Sequence, residues 1–232
     1  MILLGVDGCR AGWIAASSGL PLGRPDFQLH RSFAGVLAAV AGDEAVVCVD
    51  IPIGLVRGRR LCDVEARELL GHPRASSVFT PPCRDALVGR TAEERRALNL
   101  RSTGRSLSAQ ALGILPKIAE VDRSMTATLP AVVREVHPEV VFAALSPSGQ
   151  GLTSRKRSSQ GREERLALLP PVLAAATANS PRFAVREVAP DDYVDVLSAL
   201  VAADRLARGV ARRLPASGGE RDERGLSMEI WF

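Results

Sequence analysis

The run Ile2-Leu3-Leu4-Gly5-Val6-Asp7-Gly8, continued by Cys9-Arg10-Ala11-Gly12-Trp13-Ile14-Ala15-Ala16, decides how this chain is read. An apolar stretch ends in one carboxylate, turns on small residues and resumes as a second apolar stretch. That pattern predicts a β-hairpin with Asp7 at the mouth of its turn. An acid at the end of a buried strand is costly unless a cation or a hydrogen-bond donor sits beside it. What converges on Asp7 is therefore the question the rest of the chain has to answer.

Working outward, residues 26–30 alternate and predict a third strand, and Ser32 caps a helix over 33–41. Ala45-Val46-Val47-Cys48-Val49-Asp50-Ile51-Pro52 is a continuous apolar run, as in a buried parallel strand. It too ends in an aspartate, and Pro52 stops its ladder. Residues 57–130 turn to helix and loop, with helices over 63–70 and 106–125 and a capping-box start at Thr91-Ala92-Glu93-Glu94. This block interrupts a β/α alternation and reads as a helical cap inserted into one domain spanning 1–232.

Residues 131–138 predict a strand carrying Glu135. A basic, Ser/Gly-rich connection follows over 152–165, then a helix over 163–178 kinked at Pro170-Pro171. A short strand over 183–188 precedes Pro190-Asp191-Asp192-Tyr193-Val194-Asp195, which opens an apolar helix to about 208. Residues 215–225 are polar and expected to be flexible, and 226–232 alternate as a final edge strand. The fold class is α/β, a mixed five-stranded sheet in the order β-β-β-α-β-α-β-α.

Of 232 residues, 46% are hydrophobic and 24% charged, the composition of a globular chain with ample core. No apolar run approaches the roughly 18 residues of a membrane span. Met1 leads straight into the first strand, which predicts no signal peptide and a cytoplasmic location. Cys9, Cys48, Cys62 and Cys83 form no CxxC pair and are expected as free thiols. The net charge of +4 is concentrated in residues 57–105, where eleven arginines face six acids. There is no GxxxxGK[ST] phosphate loop, and Ser76-Ser77 has no G-x-S-x-G context.

Asp7, Asp50 and Glu135 stand at or near strand ends, and Asp192 and Asp195 open a helix. Strand ends and helix starts gather along one edge of an open α/β sheet. Carboxylates crowded there raise one another's pKa unless a cation neutralises them, and the hard ions Mg²⁺ and Mn²⁺ suit oxygen ligands. Asp192 and Asp195, three apart, share one helix face. Singly, each acid has a structural reading as well: Asp50 as a turn residue before Ile51-Pro52, Asp191 or Asp192 as an N-cap.

Gly5-Val6-Asp7-Gly8-Cys9-Arg10 with Gly12-Trp13, and Val49-Asp50-Ile51-Pro52-Ile53-Gly54-Leu55, resemble a bacterial and archaeal family labelled predicted RNase H-like nuclease. The resemblance continues through Cys62-Asp63 with Arg67, Ser76-Ser77-Val78-Phe79 with Pro82, and Lys117-Ile118 with Glu120-Val121-Asp122. It extends to Glu135-Val136-His137-Pro138-Glu139, to Lys156 with Gly161-Arg162 and Arg165, and to the helix opening at Asp192. It covers nearly the whole chain and implies a ribonuclease H-like fold. The Asp192-Tyr193-Val194-Asp195 start is also similar to the closing motif of Holliday-junction resolvases of the RuvC type.

These readings make the chain a metal-dependent nuclease or other phosphodiester hydrolase. Asp7, Asp50, Glu135, Asp192 and Asp195 are its expected catalytic residues and ligands for Mg²⁺ or Mn²⁺. Arg10, Arg67, Arg84, Lys117, His137 and Lys156 are its expected substrate contacts. The partner is nucleic acid or a small phosphorylated substrate, with no membrane, and a homodimer is compatible with the sequence. Two rivals are a non-catalytic nucleic-acid- or phosphate-binding protein on the same fold, and a phosphotransferase of the actin and sugar-kinase type. The latter requires a duplicated domain, for which 232 residues with one β-β-β-α-β unit are too few.

Overall fold

In the computed structural model, which describes residues 1–126, 129, 132–179 and 183–232, the opening run forms the predicted hairpin. Strand β1 (Ile2–Cys9) pairs antiparallel with β2 (Gly12–Gly19), closing at Cys9↔Gly12. Gly12 has φ 141°, and a Cβ there would lie 2.1 Å from the His30 carbonyl oxygen, so only glycine fits this turn. Strand β3 (Asp26–His30) adds antiparallel to β2. Helix α1 (Phe33–Ala38) follows, capped by the Ser32 hydroxyl, which accepts from the Gly35 N–H. Strands β4 (Ala45–Val49) and β5 (Val133–Glu135) continue the sheet in parallel, in the order β3-β2-β1-β4-β5. The chain is a mixed α/β protein with eight α-helices among the described residues.

Between β4 and β5 lie α2 (Leu61–Arg74), α3 (Ala92–Thr103) and α4 (Ala109–Ser124). Thr91 and Glu94 form the predicted capping box of α3. Helix α2 breaks at Gly71 and His72, before Pro73. The expected end of this block at 130 and the expected strand start at 131 lie outside the described residues.

After β5 come α5 (Pro138–Leu145), α6 (Ser159–Leu168), α7 (Pro171–Ala176) and α8 (Pro190–Ala207). The expected kinked helix is two helices, because Pro171 starts a new first turn. Most of the expected basic connection is the capped start of α6, where the Ser158 hydroxyl accepts from the Gly161 N–H. Residues 183–188 form a turn, with the Glu187 N–H on the Ala184 carbonyl at 2.7 Å, instead of the expected strand. At the C-terminus, β6 (Arg213–Leu214) and β7 (Ile230–Trp231) form a separate ribbon, linked to the main sheet by one bridge between Val136 and Trp231.

Pleating divides β1 between two cores. Leu3 and Cys9 pack with the apolar face of α8, while Leu4 and Val6 pack with α1 and α4 around Trp13, Phe33 and Ile118. Gly5 lies on the α8 side, where a Cβ would meet the Val196 carbonyl at 2.3 Å and the Leu200 nitrogen at 2.4 Å. The missing side chain lets α8 settle directly on the strand, and residues 194–204 of α8 are all buried. Each large apolar side chain buried there contributes roughly 1.5–3 kcal/mol. This contact aims the start of α8 at the end of β1. No helix among the described residues is long and apolar enough to cross a membrane, and the four cysteines are free and buried.

Candidate active site

Asp7 and Asp50 stand one residue beyond the last paired step of β1 and β4, Val6↔Val49. The Asp50 N–H donates to the Val6 carbonyl at 3.0 Å and prolongs the ladder. Both carboxylates therefore lie at the C-terminal ends of adjacent parallel strands, on the face shared by Gly5 and Cys48, which is the α8 face. Asp7 Oδ1 accepts the Gly8 N–H at 2.7 Å.

The start of α8 supplies two more acids. Asp192 Oδ2 accepts the Ala189 N–H at 2.8 Å, one half of a capping box, which fixes its side chain. One turn on, Asp195 Oδ2 accepts Lys156 Nζ at 2.6 Å, while its Oδ1 is buried without a hydrogen-bond partner. Lys156 precedes α6, and the neighbouring Arg157 pairs with Asp191 at 3.4 Å.

Crowding sets the protonation of these groups. Burial, then Asp50, Asp195 and Asp192, push Asp7 well above the usual carboxylate range. Burial, then Asp195, lift Asp50 to about 7, and Lys156 pulls it back. Burial raises Asp192 to about 6 against the Ala189 amide. Asp195 is raised by burial despite Lys156. Burial disfavours the Lys156 ammonium, but Asp195, Asp7 and Asp50 outweigh it and raise its pKa. Four carboxylates and one ammonium thus form a coupled set with excess negative charge.

Glu135, expected among the ligands, does not join them. It registers with Val49 rather than Asp50, so it points to the opposite face of the sheet. There its carboxylate accepts the Ile53 N–H at 2.7 Å and pairs with the buried Arg60 guanidinium, which also faces Asp63 at 3.8 Å. Burial disfavours the Arg60 cation, but Glu135 and Asp63 more than compensate, while burial pushes Glu135 up to about 8 against the pull of Arg60. A different glutamate, Glu139, reaches the margin of the cluster and contributes to raising Asp50. It is held by Arg165 through two hydrogen bonds of 2.9 and 2.8 Å. The sequence signal for it was the first turn of α5 in His137-Pro138-Glu139.

The expected substrate contacts divide. Arg10 and Lys117 line a cavity of about 670 Å³ beside Asp192, together with Arg31 and Arg157. Those last two carry no local signal in the sequence, because tertiary folding alone brings them there. Lys117 lays its stem across Gly8, where a Cβ would lie 2.6 Å from Cδ, and its ammonium donates to the Gly12 carbonyl. Burial lowers its pKa. The chain has two lysines among thirty basic residues, and both couple electrostatically to Asp7. An ammonium, more compact than a guanidinium, suits these tight positions.

His137 is half-buried near Lys156 and Glu139, with Nε2 3.4 Å from the Ser77 carbonyl, and burial lowers its pKa. Arg67 lines a different cavity. Arg84 is not a free phosphate contact: it is committed to Asp122, Asp222 and Glu223. Buried Asp222 also accepts the N–H groups of Leu55, Arg224 and Leu226, so it ties down the 215–225 segment that was expected to be flexible.

For a bound cation, the donor set is all carboxylate oxygen, the chemistry that suits Mg²⁺ or Mn²⁺. Asp195 Oδ1 is a buried acceptor without a donor. Among the described residues, no group of three His, Cys, Asp or Glu side chains is placed to hold a metal ion. Lys156 is the cation in this arrangement.

A family model described as "Protein of unknown function (DUF429)" matches residues 5–219. No curated protein and no solved structure matches the chain.

Proposed function

The chain belongs to the DUF429 family, and we propose that it is a metal-dependent phosphodiester hydrolase on a ribonuclease H-like fold. The observation that carries this reading is that Asp7, Asp50, Asp192 and Asp195, from two strand ends and one helix start, raise one another's pKa through space. Their mutual repulsion makes the cluster a receptor for positive charge, and Asp195 Oδ1 is an acceptor in search of a donor. The sheet order β3-β2-β1-β4-β5, with α2, α3 and α4 inserted between β4 and β5, supports the fold assignment.

In this reading Asp7, Asp50, Asp192 and Asp195 would be the ligands of Mg²⁺ or Mn²⁺, and since no three of them are placed to hold an ion in the present arrangement, they would have to draw together around it. The chemistry such an ion supplies is activation of water and neutralisation of charge developing on a phosphoryl group. The chain's own residues do the rest. Gly8 and Ala189 amides orient Asp7 and Asp192, and Lys156 limits the repulsion around Asp195. Arg10, Arg31, Lys117 and Arg157 outnumber Glu120, Asp191 and Asp192 in the walls of the adjoining cavity, and Arg10 and Arg31 are its cations for a phosphodiester. A nucleic-acid strand and a small phosphorylated substrate both fit this chemistry.

A second reading, a phosphate-binding protein without catalysis, is favoured by one observation: Lys156 already neutralises part of the cluster. Calorimetric titration with Mn²⁺ separates the two, combined with cleavage assays on single-stranded, duplex and junction DNA and RNA. Binding of Mn²⁺ and Mn²⁺-dependent cleavage, both lost in Asp7→Asn, is the expected result. Cleavage retained by that variant, or no Mn²⁺ binding by the wild type, overturns the hydrolase reading.

A further inference from the structure

The insertion carries a second concave site, which shares no lining residue with the cavity beside the acids. It encloses about 480 Å³ and is lined by Arg57, Arg59, Arg67 and Arg105, with no Asp or Glu in its walls. That volume lies within the range of small-ligand pockets. Its charge is largely unspent. Arg57 shares its guanidinium with Asp85 at 3.2 Å, but the guanidinium groups of Arg59 and Arg105 have no partner among the described residues. Arg67 is fixed in orientation: its Nε donates to the Val78 carbonyl at 2.8 Å and its Nη2 to the Thr80 hydroxyl at 3.1 Å. That leaves Nη1 for a ligand.

Asp85 meets Arg57, and Asp63 and Glu68 share an adjoining concavity with Arg59, Arg67 and Arg105, but the charged groups in the walls of this cavity are all positive, which favours an anion bound among them. The remaining walls are of two kinds. Ser106 and Ser108, at the entry to α4, present hydroxyls to an anion's oxygens. Half-buried Phe79 and buried Leu107 present an aromatic and an apolar surface. Phosphate-binding and base-stacking surfaces side by side match one ligand chemistry, a nucleoside phosphate.

We propose that this cavity binds a nucleoside phosphate, its phosphate on Arg59, Arg67 and Arg105 and its base against Phe79. The ligand is either a free nucleotide or the 5′-phosphorylated end of a single strand. The site is independent of the acidic cluster and stands whether or not the latter hydrolyses anything.

The test is fluorescence anisotropy with two probes, N-methylanthraniloyl-ADP and a labelled, 5′-phosphorylated ten-nucleotide oligo-dT. Wild type, Arg59→Glu/Arg105→Glu and Arg10→Glu are compared. Both arginines of the double variant are exposed and without partners, so an unchanged melting temperature should accompany it. Binding weakened at least tenfold in the double variant, and less than twofold in Arg10→Glu, supports the proposal. Response to the ADP probe assigns a free nucleotide, and response to the oligonucleotide alone assigns a strand end. Binding of neither probe, binding unchanged by the double reversal, or equal loss in Arg10→Glu overturns it.

Discussion

Lys156 Nζ lies 2.6 Å from Asp195 Oδ2, while the other oxygen of the same carboxylate is buried without a donor. One ammonium thus satisfies half of one acid in a set of four. The balance of charge in this cluster governs both how the fold responds to pH and how it should respond to a divalent cation.

The first prediction follows from the raised acids. Asp50, at about 7, and Asp192, at about 6, hold protons in the folded state that the unfolded chain releases near 4. Between those values the native state binds more protons, so stability falls as pH rises. The contribution is complete below about 4 and gone above about 7. Melting temperature measured without divalent ions should fall by roughly 10 °C from pH 5 to pH 8, from a loss of roughly 4 kcal/mol. Asp50→Asn should flatten that slope, and Mg²⁺ or Mn²⁺ should restore wild-type stability at pH 8. A slope that Asp50→Asn leaves unchanged contradicts the assignment.

A second prediction concerns Lys156 itself. Lys156→Gln removes the positive charge while keeping a hydrogen-bond donor. At pH 8 this should cost about 1–2 kcal/mol, a figure reduced for solvent because the lysine side chain is 38% exposed. At pH 5 the cost should shrink, since Asp50 and Asp192 are then largely protonated. Thermal melts at the two pH values read this difference, and an equal loss at both excludes coupling between Lys156 and the acids.

A third prediction tests the contact that brings α8 to the sheet. In Gly5→Ala the new methyl would lie 2.3 Å from the Val196 carbonyl and 2.4 Å from the Leu200 nitrogen. Neither is the end of a flexible side chain, so α8 must move. A cost of about 3 kcal/mol is expected in denaturant melts. Mn²⁺ affinity should also fall, because Asp192 and Asp195 withdraw with the helix. Gly42→Ala, a substitution with nothing within 4 Å but at positive φ, serves as the strain-only control.

How much of this was legible beforehand depended on whether the signal was local. Asp7, Asp50, Asp192 and Asp195 each interrupt or open an apolar run, so position alone marked them. Glu135 carried the same mark but faces the wrong way, because the face a strand residue takes depends on pairing register. Nothing in residues 131–138 reveals that Val49, not Asp50, stands opposite it. Arg84 departs from its expected role as a substrate contact for a related reason: its partners Asp122 and Asp222 lie 38 and 138 residues away. The strand expected at 183–188 has the composition of a strand, but it folds back on itself as a turn at Ala184 and Glu187, and the Glu187 carbonyl accepts the Ala11 N–H at 3.2 Å.

The fourth prediction decides between the two places a third-strand acid can take. Glu135→Gln keeps the size of the side chain and an oxygen for the Ile53 N–H, but removes the charge that balances Arg60. Arg60 is 3% exposed, and its remaining acid, Asp63, is 3.8 Å away. Leaving a buried guanidinium partly unpaired should cost about 3 kcal/mol, read in denaturant melts. Mn²⁺ affinity should stay within twofold of wild type, whereas Asp50→Asn should lose it. A metal ligand behaves in the opposite way, giving a large drop in affinity with little or no loss of apo stability, because neutralising a ligand relieves repulsion. Calorimetry on both variants, beside their melts, therefore separates the roles. Loss of Mn²⁺ binding in Glu135→Gln with its stability intact would return Glu135 to the acidic site.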